Sequence, residues 1–157
     1  MNEEVINKVA SLWSKYVDAK RALRESGFIR SYRQAEADLS EWLVKHFIEG
    51  ELPSSRSQGS FDVITNDGKR IQVKSIAKDP DNPNGYIISN KDRDPKSTVT
   101  HYAFVCFNDL IPEAIFLTPG DYVRNFQKSQ IKPADLEKTK YRLDIDLTPF
   151  KKKIINA

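Results

Sequence analysis

Residues 60–75 read SFDVITNDGKRIQVKS, and the reading of this stretch decides the fold. Two short β-prone runs, 61–65 and 70–76, flank Asn66-Asp67-Gly68, a combination that predicts a tight hairpin. Successive side chains of a strand point to opposite faces, so Ile71, Val73 and Ser75 share one face while Gln72 and Lys74 share the other. An amide and an ammonium on a sheet face ask for partners, and Asp62, on the opposing strand across the turn, is the candidate carboxylate.

Outward from the hairpin, the period of the apolar residues changes. Upstream, Val5, Val9, Leu12, Trp13, Tyr16 and Val17 recur at helical spacing, predicting a helix over 3–25 that Gly27 stops. A second helix is expected over 31–49, with Tyr32, Ala35, Leu39, Trp42, Leu43 and His46 on one stripe and Gly50 and Pro53 beyond its end. Trp13 and Trp42 read as core residues on these stripes, and His46 and His101 as packing residues. Downstream, 77–97 is rich in Asp, Pro, Asn and Lys and reads as a long surface excursion in which only YIIS (86–89) suits a strand. The apolar run 99–107 is expected at the centre of the sheet, with EAIFL (113–117) as its neighbour. TPGDYVRNF (118–126) predicts a helix with Thr118 as N-cap, Pro119 at the first position and Asp121 in the first turn. YRLDIDL (141–147) alternates, placing Leu143, Ile145 and Leu147 inward and Asp144 and Asp146 outward. The basic run KKK (151–153) reads as a solvated tail. The expected fold class is α/β: a mixed central β-sheet flanked by helices, in a single domain over 1–157.

Composition narrows the function classes. The 157 residues are 39% hydrophobic and 30% charged, a balance that suits a globular domain with a core. No apolar run approaches the roughly 20 residues of a membrane span, and the acidic start MNEEVINK does not read as a secretion signal. The single cysteine, Cys106, sits in an apolar run and reads as a buried small hydrophobe. A chain that forms no internal disulfide suits a reducing compartment, so a cytoplasmic protein is expected. His46, His101 and Cys106 make no zinc signature. A formal net charge of +3 permits a nucleic-acid partner without demanding one.

The chemistry is expected at the hairpin. Magnesium takes oxygen ligands in octahedral geometry, commonly one or two carboxylates plus water and phosphate oxygens. Asp62 would anchor such an ion, Gln72 could lend its side-chain carbonyl, and the backbone carbonyl of Val73 could add a ligand. Lys74 could orient the attacking water and offset charge on the transition state. Glu36 lies along the apolar stripe of the second helix, where glutamates are seldom buried without a partner, and could complete the site directly or through water. The plainer alternatives are a structural ion pair between Asp62 and Lys74, a hydrogen-bonding role for Gln72 and a surface role for Glu36.

Together these residues resemble the PD-(D/E)XK nucleases. Asp62 in SFDVI stands for the first acid of that motif, Gln72-Val73-Lys74 for its (D/E)-x-K half, and Glu36 for the helical glutamate that many members carry. The resemblance covers roughly residues 30–120, read as the catalytic core, and its outline is similar to compact type II restriction endonucleases. It implies a Mg2+-dependent homodimer that hydrolyses both strands of double-stranded DNA, with the N-terminal helix, 1–27, available as a dimerisation element. Gln72 departs from the acidic consensus, as in Mrr-type nucleases, and removes one negative charge from the metal site. The resemblance therefore also admits a repair or junction-type nuclease, or an impaired nuclease fold that only binds DNA. Lys78, Asn90, Lys91, Arg93 and Lys96 in the long loop are expected DNA contacts, and Arg56 and Gln58 are placed near the cut; each has a solvated loop residue as its alternative.

Overall fold

The computed structural model describes residues 3–29, 35–53, 61–81 and 97–151. The chain divides into two compact units, Met1–Leu39 and Ser40–Ala157, and the boundary falls inside the second helix.

The first unit is dominated by α1, Glu3–Glu25, with Glu3 and Glu4 in its first turn and Arg24 in its last, as a helix dipole favours. Gly27, at φ 80°, ends it in the left-handed region that glycine enters at little cost. There the N–H groups of Ser26 and Gly27 donate to Ala22 O (3.0 Å) and Arg24 O (3.1 Å). The apolar stripe expected to be core is exposed: Trp13 is 64% accessible and Leu12 56%. Periodicity shows that a helix has an apolar face, not what covers it. Trp13 instead lies beside Tyr16, ring centroids 5.1 Å apart, and Lys20 Nζ sits over the Tyr16 ring.

In the second unit, α2, Ala35–Ile48, contributes Ser40 onward, with Ser40, Leu43 and Val44 buried. Trp42 is half-buried and stacks on His46, which is itself exposed. Four strands follow: β1 Val63–Ile64, β2 Arg70–Lys78, β3 His101–Asn108 and β4 Ile111–Pro119, in the order β1-β2-β3-β4. β1 pairs antiparallel with β2, β2 parallel with β3, and β3 antiparallel with β4. The sheet is thus mixed and helices accompany it, as expected. β3 holds a central place between β2 and β4, and Tyr102 through Phe107 are all buried, as its unbroken apolar run predicts.

Each face of the sheet has its own cover. Ser40 Oγ and Ser75 Oγ share a hydrogen bond of 2.7 Å, which ties α2 to the face of Ile71, Val73 and Ser75. The opposite face carries Ile76, Tyr102, Phe104, Cys106 and Phe116. These pack with Val123, Ile131 and Leu136 from the short helices α3, Gly120–Arg124, and α4, Pro133–Glu137, and the segment between them. Close approach is needed where the chain turns from α2 into the hairpin. A Cβ on Gly50 would lie 2.5 Å from Val63 Cγ1 and 3.1 Å from Ile64 O, so only glycine fits.

Four expectations are corrected. Thr118 is not a helix cap: it is buried in β4, its hydroxyl donating to Tyr102 O (3.4 Å). Pro119 is the N-cap residue of α3 rather than its first residue, and that helix lasts only five residues. Asp121 does sit in the first turn, where it pairs with Arg124 at 2.9 Å. Residues 141–147 form no named strand. They meet β4 through one isolated bridge, Phe116 with Arg142, and through Leu117 N–H to Tyr141 O and Leu143 N–H to Ile115 O. Their alternation survives in burial, with Leu147 buried and Asp144 and Asp146 exposed. The β1 run also shortens from the expected 61–65 to two residues.

Candidate functional site at the hairpin edge

The hairpin turn is built by its own residues. Gly68, at φ 87°, supplies the left-handed position and donates its N–H to Thr65 O (3.0 Å). Thr65 N–H donates to Lys69 O (3.1 Å), and Asp67 accepts from both the Thr65 hydroxyl and the Lys69 ammonium. Those two hydrogen bonds, Lys69 first, pull the Asp67 carboxyl down to about 2. On its far edge β1 is held by Glu51, through Glu51 N–H to Ile64 O (2.8 Å) and Ile64 N–H to Glu51 O (3.0 Å).

Just before β1 the ladder is irregular, and the irregularity places the acid. Val63 pairs with Ile71, yet Asp62 N–H also donates to Ile71 O at 2.8 Å. Two residues therefore oppose one, the arrangement of a β-bulge, which re-aims the side chain at its first position. The Asp62 carboxylate turns along the edge of β2 and accepts the Val73 N–H through Oδ2 at 2.9 Å. A strand residue directs its N–H and its carbonyl to the same neighbour, so the Val73 carbonyl also faces this edge. Strict alternation across the hairpin does not carry past the bulge: Phe61 packs with the Tyr102–Phe104 core.

Gln72 and Lys74 flank Val73 on β2 and share the face of Tyr102 and Phe104, their partners in register on β3. Both are half-buried, as is Asp62. The hairpin thus brings a carboxylate, a strand carbonyl, an amide and an ammonium to three consecutive β2 positions. By donor type these residues fit a magnesium ion that keeps much of its water: one carboxylate and two neutral oxygens. Among the described residues, no three His, Cys, Asp or Glu side chains gather as a metal site. Glu36 is half-buried and belongs to the first unit. Lys78 closes β2, exposed. Arg56, Gln58, Asn90, Lys91, Arg93 and Lys96 lie outside the described residues.

Other titratable groups read as structural. Burial pushes the Cys106 thiol up to about 12, with Glu137 adding to the effect, so it carries no thiolate near neutrality. His101 Nδ1 meets Thr100 Oγ1 at 2.9 Å, and its pKa falls below the ordinary value through burial and then the nearby Lys69 charge.

A second concavity, unforeseen in the sequence, lies beside α3 and α4. It is an open cleft of about 620 Å3 lined by Tyr122, Phe126, Tyr141, Lys128 and Asp135 among others. Tyr122 and Phe126, four apart, were the visible signal, and their rings lie 5.6 Å apart. Lys128 and Asp135 pair across it at 3.2 Å. Burial, with Asp135 next, raises the Tyr122 pKa above the ordinary phenol value. The charged groups of this cleft are engaged in ion pairs, Lys128 with Asp135 and Asp121 with Arg124, so the hairpin edge is argued as the candidate for chemistry.

Comparison with protein-family models gives no match, and comparison with curated proteins gives no significant one.

Proposed function

We propose that the chain is a Mg2+-dependent endonuclease that hydrolyses phosphodiester bonds of double-stranded DNA, with a restriction-endonuclease-like fold and a restriction-type role as a homodimer. One observation carries the reading: a bulge turns Asp62 onto the β2 edge at Val73, between Gln72 and Lys74. In this reading the Asp62 carboxylate, the Gln72 amide oxygen and the Val73 carbonyl hold the ion. Magnesium there would lower the pKa of water and offset phosphate charge. Asp62 is oriented for this by the Val73 N–H, which fixes one carboxylate oxygen at the β2 edge. Lys74 positions the attacking water and balances charge that builds on the phosphate oxygens. Lys78, exposed at the end of β2, contacts backbone phosphate, an interaction that weakens with salt.

Cleavage of supercoiled plasmid and phage DNA, with magnesium or with EDTA, tests the reading. Discrete fragments that vanish in EDTA and in Lys74→Ala support it. A smear lost under the same controls would point to a repair or junction-type nuclease, and intact DNA throughout would count against any nuclease.

One observation favours a second reading, a nuclease fold that binds DNA without cutting it. Gln72 is neutral, and no cluster of three acids gathers among the described residues. Gln72→Glu separates the two: cutting that appears only in this variant would show a site impaired by charge alone.

A further inference from the structure

We propose that the cleft beside α3 and α4 binds single-stranded DNA, seating an unpaired base against Tyr122, Phe126 and Tyr141 while Lys132, Lys138 and Lys140 meet its phosphates. The three rings line one open cleft of about 620 Å3, within the roughly 300–1,000 Å3 usual for ligand sites. Tyr122 touches both others: its centroid lies 5.6 Å from that of Phe126, at an interplanar angle of 49°, and 5.8 Å from that of Tyr141, at 69°. Contacts tilted in this way leave ring surface uncovered, and each ring is half-buried. Tyr122 and Phe126 rest on the core cluster that includes Val123, Ile131 and Leu136, which holds them in place. Every base has a π-face, so such a platform takes a base without regard to its identity. Asn125 and Gln127 also line the cleft, exposed, and supply donors and acceptors to a base edge.

Charge identifies the occupant. From Pro119 to Arg142 the chain carries six bases and three acids. Each acid is matched: Asp121 with Arg124, Asp135 with Lys128 and Glu137 with Arg142. Lys132, Lys138 and Lys140 remain, all exposed and, among the described residues, in no ion pair. Lys138 acts on the Asp135 carboxyl together with Lys128, which puts it beside the cleft, and Lys140 adjoins Tyr141. The surplus is positive and stands next to aromatic walls, the pairing that tracks a phosphate backbone with unstacked bases. Lys132 and Lys138 bracket α4, about 9 Å apart along its axis at 1.5 Å per residue. One phosphate does not meet both, so the occupant is a run of nucleotides and not a free one. The inference rests on the nuclease reading only in taking DNA as the polymer; the cleft shares no residue with the hairpin edge.

Fluorescence anisotropy of a short labelled single strand with the full chain, in EDTA, tests it. The wild type should bind the strand more tightly than it binds dAMP or a strand of equal length stripped of its bases. Tyr122→Leu should weaken the strand roughly tenfold, the worth of one base–aromatic stack, and leave the abasic strand unchanged. Lys138→Gln should lower the slope of log Kd against log salt by about 0.7. Should Tyr122→Leu misfold, photocross-linking of a 5-iodouracil strand to the wild type reads the same contact. Mapped by mass spectrometry, the link should fall on Tyr122, Phe126 or Tyr141. An abasic strand or dAMP bound as tightly, a strand indifferent to Tyr122→Leu, or a link elsewhere would overturn it. Strand binding through the cleft by a chain that cuts no DNA would sink the nuclease reading alone. Cutting without such binding would sink this inference alone.

Discussion

β2 and β3 lie side by side in register, yet they treat the same sheet face differently. β3 places Tyr102, Phe104 and Cys106 there, all buried in the core with Phe116 and Val123. β2 places Gln72 and Lys74 opposite Tyr102 and Phe104 and becomes apolar only at Ile76. A half-buried amide and ammonium give up hydration that an aliphatic residue would not. A fold shaped by packing alone would continue the β3 pattern across β2. The contrast teaches that packing accounts for this face of β3 but not for Gln72 and Lys74 on β2, the positions to which the proposed function assigns the chemistry.

Breaking the β3 side should have the largest effect. Phe104 is 1% accessible, and Phe104→Ala should cost about 3–5 kcal/mol. That lowers Tm by roughly 10 °C for a chain of this size, measured by calorimetry. Gly50→Ala tests the support beneath the hairpin. Its Cβ would meet Val63 Cγ1 at 2.5 Å, and a loss of about 1–3 kcal/mol is expected from denaturant unfolding. A smaller effect belongs to the turn. The Asp67 carboxyl is held at about 2 by Lys69 and Thr65, so its contribution is present above its ordinary range and lost as pH falls through it toward about 2. The Tm difference between wild type and Asp67→Asn, slight because the group is exposed, should close over that window. Smallest is a null response: with its thiol pushed up to about 12 by burial, Cys106 should ignore a thiol reagent at pH 8 until the chain unfolds.

Much of this architecture could be read before any coordinates. Asn-Asp-Gly signals its turn locally, and six consecutive apolar residues in β3 tolerate no exposed face. The readings that failed depended on neighbours distant in sequence. Thr-Pro-Gly-Asp has the chemistry of a helix start, but β3 draws Thr118 into β4 first. The 141–147 segment shows the right inward residues without the ladder that would make it a strand. At the site, the common face of Gln72 and Lys74 follows from alternation. The bulge at Asp62 does not, because only the hydrogen bond from its N–H to Ile71 reveals it.

The most direct test measures stability and DNA cleavage on one protein, Lys74→Met. If β2 carries a lysine there for chemistry, the replacement should abolish Mg2+-dependent cutting while the variant still unfolds in one cooperative transition. A clear fall in Tm with cutting retained would contradict the account, making Lys74 a packing residue and moving the chemistry elsewhere.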